Sequence, residues 1–280
     1  MSTETVNHSH SEENPMRIRS ISTLVPALAS LAYSSMLHAE ASETLWPVVK
    51  EAFFAGKTIE SADFIKLEGP RRAESGAQVP VTLTIDKAPD APDAIKKVYL
   101  IVDANPIPLA AIYNFTPLSG RAQIATRIRM ETDSYIHAVG ETADGKLYMT
   151  AIAIRAAGGC GGLVDGDEKA IRASAGKIKV NLDEPVKFGE PNAATLLIKH
   201  PMFTGLQRDL ASGGYRPAFY MQKVELNYNG KPVMHVDFGV GTSEDPYLRF
   251  FYRPDAPGTL DIKAVDNEGK EFTHQVEVKS

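Results

Sequence analysis

Glycine flanks Cys160, the single cysteine in a chain of 280 residues, twice on each side: Gly158-Gly159-Cys160-Gly161-Gly162. A thiol attacks through its thiolate, and an exposed one needs only a modest lowering of its pKa to react. Each glycine takes positive φ as readily as negative, so the segment has high conformational entropy and almost nothing to pack. Five residues reach at most ~18 Å, enough for the sulfur to stand clear of a folded body and enter a partner's cleft. Free cysteines are often small buried hydrophobes. A core strand does not surround one with four glycines, however, because glycines weaken strands and supply no packing. A tight turn or bulge accounts for one or two of them. The pattern therefore reads as a flexible arm carrying a reactive thiol. With no CxxC and no resolving cysteine, an internal disulfide cycle is excluded.

Other residues with chemical potential are dispersed. The histidines beyond the N-terminal region, His137, His200, His235 and His274, lack HxH or HxxxH spacing, so no metal site is expected from them. Asp165, Asp167 and Glu168 follow the arm without the rest of an EF-hand ligand pattern and read as a solvated linker. No CxxCH, P-loop or GxGxxG before a helix occurs. Phe250, Phe251 and Tyr252 are read as alternating between core and surface rather than as a cofactor box.

The elements that must position the arm are legible in the pattern. The chain is 43% hydrophobic and 23% charged, with a formal charge of -5 and a pI near 5.8, which disfavours a nucleic-acid partner. Residues 1–41 read as a polar N-terminus and a secretory signal: Met16, Arg17 and Arg19 precede a mostly apolar run from Ile21 to Leu37 and a small-residue site at Ala39-Glu40-Ala41. That run is too short and broken to span a membrane. Ser42 to Gly56 follows helical spacing, with Leu45, Val48, Val49, Ala52 and Phe53 as its apolar positions. From Val79 the period changes to two, giving six strands by Ile154, with a hairpin at Asp144-Gly145. Alternation stops at the arm and resumes at Lys177. A second set of strands then runs to Val278, with turns at Asn229-Gly230 and Asn267-Glu268-Gly269. Two antiparallel sandwiches joined at the arm are expected.

The arm and an ordered series of motifs resemble a known family. Upstream stand Arg72-Ala73-Glu74, Val79-Pro80-Val81, Asn105-Pro106-Ile107-Pro108, Thr126-Arg127-Ile128-Arg129 and Ala143-Asp144-Gly145-Lys146. With the glycine-cysteine arm they resemble SoxY, the sulfur carrier of bacterial thiosulfate oxidation. Downstream, His200-Pro201-Met202-Phe203-Thr204-Gly205, Arg208-Asp209, Asn229-Gly230, Asp245-Pro246-Tyr247 and Asp266-Asn267-Glu268-Gly269 are similar to its partner SoxZ. The chain resembles the fused SoxYZ-like carriers associated with quinoprotein dehydrogenases.

The resemblance implies an all-β fold of two immunoglobulin-like antiparallel β-sandwiches in tandem, with a short N-terminal helix. The divisions are 1–41 leader, 42–157 SoxY-like, 158–176 arm and linker, and 177–280 SoxZ-like. It implies a periplasmic carrier, not an enzyme, whose Cys160 holds a sulfur-containing, thiosulfate-type group covalently and presents it to other proteins. Gly158, Gly159, Gly161 and Gly162 would give the arm its reach. No cofactor is expected beyond the adduct on Cys160. The implied partners are Sox-type or other periplasmic oxidoreductases and hydrolases, c-type cytochromes or quinoprotein dehydrogenases, with the two halves pairing within the chain. Two departures stand out. The SoxY arm ends its chain, whereas this one is tethered at both ends, and Phe203 occupies a position where SoxZ usually has Glu, on a surface expected to face partners. Alternative readings are a non-covalent accessory module of a quinoprotein dehydrogenase system and a stand-alone thiol enzyme. The second needs a base or oxyanion donors fixed near the sulfur, which a mobile arm does not supply.

Overall fold

The structure is a computed structural model that describes residues 41–159, 161, 163–164 and 166–279. Cys160, Gly162, Asp165 and residues 1–40, which hold most of the expected leader, lie outside the described residues. Helix α1 (Trp46–Phe54) begins where expected, after a 3-10 turn whose first free N–H, that of Thr44, donates to the Ser42 hydroxyl. Gly56 ends it at φ 69. Its inward face differs from the expected one. Val49 and Phe54 are buried, while Leu45, Val48 and Phe53 are exposed. The indole of Trp46 stacks on His137 at 3.8 Å, and Phe54 meets Tyr99 edge-on at 5.1 Å. These ring contacts, rather than the stripe through residues 45, 48 and 52, decide which side faces the sheet.

The first half then forms β1 (Ile59–Ser61), β2 (Ile65–Glu68), β3 (Val79–Ile85), β4 (Ile95–Val102), β5 (Leu109–Phe115), β6 (Gln123–Ile128), β7 (Ser134–Thr142) and β8 (Leu147–Ile154). After the arm come β9 (Leu163–Val164) and helix α2 (Glu168–Ser174). The second half forms β10 (Ile178–Leu182), β11 (Asn192–Ile198), β12 (Arg208–Asp209), β13 (Met221–Tyr228), β14 (Lys231–Phe238), β15 (Tyr247–Tyr252), β16 (Gly258–Asp266) and β17 (Glu271–Val278). The period-2 strands thus form where alternation places them: in β3, for instance, Val79, Val81, Leu83 and Ile85 all point into the core. Phe250 and Tyr252 are buried and Phe251 is half-buried, as their alternation predicts. At Asn229-Gly230 both residues take positive φ, 48 and 74, in the two-residue turn that matches strand twist.

The sheets do not stop at the join between the halves. One sheet runs β1-β8-β7-β4-β5-β14-β13-β16-β17 and the other β10-β11-β15-β6-β3-β2. In the first, β5 pairs antiparallel with β14, from Met234 opposite Phe115 to Phe238 opposite Ala111. In the second, β6 pairs with β15 through Thr126–Leu248 and Ala125–Arg249. Buried residues of both sheets and both halves belong to one hydrophobic core that includes Val81, Leu100, Tyr113, Val224, Val236 and Phe250. The all-β tandem arrangement with a short N-terminal helix holds, and both of its layers are continuous across the halves. The antiparallel expectation has exceptions, since β1 pairs parallel with β8 and β9 parallel with β12.

Close approach along this seam selects particular residues. A Cβ on Gly239 would sit 2.4 Å from the Leu109 carbonyl oxygen, so only glycine lets the segment after β14 run along β5. Thr242 Oγ1 donates to the Ala110 carbonyl at 3.0 Å, and Ser119 Oγ donates to the Val233 carbonyl at 2.6 Å. Among the described residues no helix is long and apolar enough to cross a membrane.

A shared core with paired sheet edges unfolds as a unit. Chemical denaturation followed by tryptophan fluorescence and by far-UV circular dichroism is expected to give one coincident transition. Gly239→Ala is expected to shift that transition by about 2–3 kcal/mol, the scale of overpacking against backbone.

Candidate functional site

The arm leaves the end of β8 between two segments of the first half. On one side, Arg155 donates its N–H to the Arg71 carbonyl and accepts from the Ala73 N–H, at 3.1 and 2.8 Å, and the Gly76 N–H donates to the Ala157 carbonyl at 3.1 Å. On the other lies the turn between β6 and β7. There Asp133 Oδ1 accepts the Ala156 N–H at 2.9 Å, and the Glu131 carbonyl accepts the Gly158 N–H at 2.8 Å. The two walls are themselves joined by the Met130 N–H, which donates to the Gly76 carbonyl at 2.8 Å.

This convergence explains two glycines of the arm by fit rather than by mobility. Gly158 has φ 71 with open space around its missing Cβ. Gly159 is buried, and a Cβ there would lie 2.1 Å from the Gly76 carbonyl oxygen and 2.4 Å from that of Met130. Gly76 is under the same constraint, its Cβ position lying 2.3 Å from the Met130 oxygen. The Gly161 N–H donates to Glu131 Oε2 at 2.9 Å. The arm's root at Gly158 and Gly159 is thus a fixed structure.

The gripping turn is shaped by Asn105, which is 4% exposed. Its Nδ2 donates to the Arg129 carbonyl at 2.8 Å and its Oδ1 accepts the Glu131 N–H at 3.0 Å. Arg129, 3% exposed, extends across the seam. Its guanidinium donates to the carbonyl of Met202, and more loosely, at 3.4 Å, to those of Val240 and Pro201. Met202 takes φ 50, a left-handed conformation that costs a β-region residue of order 1 kcal/mol or more. Its sulfur accepts the Met221 N–H at 3.1 Å.

Downstream, the chain is fastened to the second half. β9 pairs with β12, and Arg216 Nη2 donates to the Gly166 carbonyl at 2.7 Å while pairing with Asp209 at 2.6 Å. Asp209 is held down at about 2 by backbone N–H donation from Ser212 and by Arg216. Residues 158–176, expected to form arm and linker, therefore contain a strand and a helix. Asp167, read as part of a solvated linker, caps α2 by accepting the Lys169 N–H, and Glu168 pairs with Arg172 at 2.7 Å. Arg172 also bridges to Glu268 at 2.7 Å and lies over the Phe219 ring. Phe203, expected on a partner-facing surface, is 3% exposed instead. It packs with Ile171, Ala175 and Phe219 under the Arg216 guanidinium, because α2 covers that turn.

The histidines remain apart. His137 Nδ1 pairs with Asp103 Oδ1 at 3.0 Å beneath Trp46, and His235 pairs with Asp237 at 2.9 Å. His200, fully buried, accepts the Met202 N–H on Nδ1 at 3.2 Å and packs on Phe219. Burial pushes it down to about 4, with Asp245 opposing and Arg172 reinforcing that shift. Among the described residues no group of three or more His, Cys, Asp or Glu side chains is placed to hold a metal ion. An open cavity of about 460 Å³ adjoins the arm, lined by Pro106, Glu131, Gly161, Gly205, Leu206 and Tyr215 from both halves. Ile107, Leu206, Leu210 and Tyr215 are exposed apolar side chains. Of the glycine-cysteine motif, Gly161 lines this cavity; Cys160 and Gly162 lie outside the described residues. Glu131, Asn105, Asp133 and Arg216 escaped notice as parts of the site. Asn105 stands in a quoted motif, whereas nothing local distinguishes Glu131 or Asp133 from surface carboxylates.

Comparison with known proteins gives two family matches. Residues 50–160 match the model for sulfur oxidation protein SoxY, and residues 178–277 match that for sulphur oxidation protein SoxZ. No curated protein matches the chain. Among solved structures, the sulfur carrier protein SoxY from Chlorobium limicola f thiosulfatophilum is 24% identical, covering 39% of this chain and 88% of that one with a TM-score of 0.33. A superoxide reductase (neelaredoxin) from Ignicoccus hospitalis is 22% identical, covering 41% of this chain and 87% of that one with a TM-score of 0.29.

Two outcomes test this geometry. Gly159→Ala is expected to lose about 2–4 kcal/mol in chemical denaturation, whereas Gly158→Ala, strained in φ but unobstructed, is expected to lose about 1 kcal/mol. His200, with its folded value lowered to about 4 from 6.5, leaves the unfolded chain binding a proton that the folded one refuses. Its contribution is complete above pH 6.5 and declines as pH falls toward 4. Denaturation midpoints measured from pH 7 to 5 are expected to fall, and His200→Gln to remove about 1–2 kcal/mol of that fall.

Proposed function

The chain joins a SoxY domain to a SoxZ domain, and from that fusion we propose that it is a periplasmic sulfur carrier that holds a thiosulfate-type group covalently on Cys160. The observation that carries this reading is the end of the SoxY match, which falls on Cys160 itself. The arm's setting supports it. The root is fixed at Gly159, and Gly161 lines an open cavity shared with Leu206 and Tyr215 of the second half. Residues 42–157 and 177–280 are read as the two domains, each an immunoglobulin-like sandwich whose sheets are continued by the other. The Ala39-Glu40-Ala41 site is read as the end of an export signal.

The chemistry asked of the protein is modest. Cys160 supplies a sulfur to which the cargo is bonded, and oxidising and hydrolysing partners act on the cargo. Oxidoreductases, hydrolases, c-type cytochromes or quinoprotein dehydrogenases of the same compartment are the partner classes. The double tether changes how they engage. A chain-terminal arm enters a narrow channel end first, whereas an arm continued by β9 and α2 enters as a loop. Such a loop needs a wider mouth, so the partners are expected to present an open cleft.

The test is genetic and biochemical together. A strain whose chain carries Cys160→Ser is expected to lose oxidation of the sulfur substrate while the purified variant keeps the wild-type denaturation midpoint. Undiminished oxidation in that strain would overturn the carrier reading in favour of a non-covalent accessory role.

A further inference from the structure

The outer face of the six-stranded sheet crosses the seam with no helix upon it. Its inward residues are buried, among them Leu83, Ile124, Leu248 and Phe250, while the residues alternating with them face outward and are partly exposed. Register sets Thr82, Ala125, Arg249 and Thr195 in one row across β3, β6, β15 and β11. Among the described residues, α1 packs instead on Tyr99 and Ile101 of the other sheet, and α2 on Phe203 and Phe219.

Three arginines stand along this face and are held in two ways. The Arg127 guanidinium carbon lies 4.8 Å from the centre of the Tyr247 ring, across the seam, and that of Arg121 lies 5.0 Å from the Phe251 ring. Between them Arg249 pairs with Asp183 and donates to Thr195 Oγ1 at 3.3 Å. Tyr247 and Phe251 are four residues apart on β15, so the two stacked arginines bracket a strip about 13 Å long. Among the described residues no carboxylate lies within 4.0 Å of the Arg121 or Arg127 guanidinium. A guanidinium stacked through its plane keeps its edge, which carries the N–H donors, free for a planar acceptor.

We propose that this face docks an acidic patch on a partner protein, Arg121 and Arg127 each taking a carboxylate while Tyr247 and Phe251 supply apolar contact. Stacking restricts each guanidinium before the partner arrives, so less rotamer entropy is lost on binding. Tyrosine and arginine are also among the residues that carry most of the energy at protein interfaces. A nucleic acid fits less well, because two unpaired cations do not neutralise a phosphate backbone brought up to a chain of net charge -5. The strip takes β6 from the first half and β15 from the second, so the surface is complete only when the seam is formed.

The test is binding of fluorescein-labelled poly-L-glutamate to the purified, reduced chain, read by fluorescence anisotropy. The wild-type chain is expected to bind at low ionic strength and to release the polymer as salt is added. Arg121→Gln with Arg127→Gln is expected to weaken binding about tenfold. Tyr247→Ala, which leaves the charge but removes the ring under Arg127, is expected to weaken it several-fold, whereas Tyr247→Phe binds as wild type. Arg71→Gln with Arg72→Gln removes the same charge from exposed residues elsewhere and is expected to change nothing. Absence of binding by the wild type, equal weakening by the two arginine pairs, or tighter binding of a thymidine oligonucleotide than of polyglutamate would each overturn the proposal. The assay involves neither Cys160 nor a cargo, so its outcome is separate from that of the carrier reading.

Discussion

Main-chain pairing between β5 and β14 is the constraint on which the remaining structure depends. A strand edge presents a row of unpaired N–H and C=O groups, and such an edge must be paired, covered or defended. The first half ends one sheet at β5 and the other at β6; the second half begins them again at β14 and β15. Joining these edges removes four exposed strand edges at once and lets one core run through both halves. The arm's position follows from the same seam. β6 pairs with β15, its next residue Arg129 reaches across to the Met202 carbonyl, and the residues after that grip the arm. The site that holds the cysteine segment is therefore fixed by contacts between the halves.

Fusion into one chain alters the entropy of this arrangement. Two separate chains lose translational and rotational freedom when they associate, and that cost sets how dilute the complex can become before it parts. The covalent link between β8 and β10, residues 155–177, replaces it with a high effective concentration. The link is also structured, since β9 lies on β12, Arg216 holds the Gly166 carbonyl, and α2 covers Phe203 and Phe219. Both ends of the arm are consequently anchored, the upstream end to the first half and the downstream end to the second.

Much of this was legible in the chain because the driving pattern is local. Period-2 alternation marks β3 to β8 and β10 to β17 apart from the two-residue β12, and Asn229-Gly230 marks its hairpin through the positive φ that both positions take. Strands β1, β2, β9 and β12 are too short for a period to establish itself, and β1 and β9 find their partners, β8 and β12, far along the chain. The helix α2 has only seven residues, and its stability comes from Ile171 and Arg172 packing on Phe219 rather than from its own pattern. The seam leaves no local signature either, because β5 and β14 look like any other half-buried strands. Gly159 shows the limit most clearly: four glycines suggest freedom, yet this one is demanded by the carbonyls of Gly76 and Met130. Composition marks the cysteine, but nothing local marks Glu131, which accepts the N–H groups of Gly158 and Gly161.

The central claim is covalent carriage on Cys160, and the adduct itself is its most direct test. Protein isolated under non-reducing conditions from cells oxidising sulfur compounds should be digested and the peptide containing Cys160 identified by tandem mass spectrometry. The account predicts a sulfur-containing mass addition on Cys160 that a thiol reductant removes. A Cys160 peptide that carries only a bare thiol, in cells actively oxidising the substrate, would contradict it.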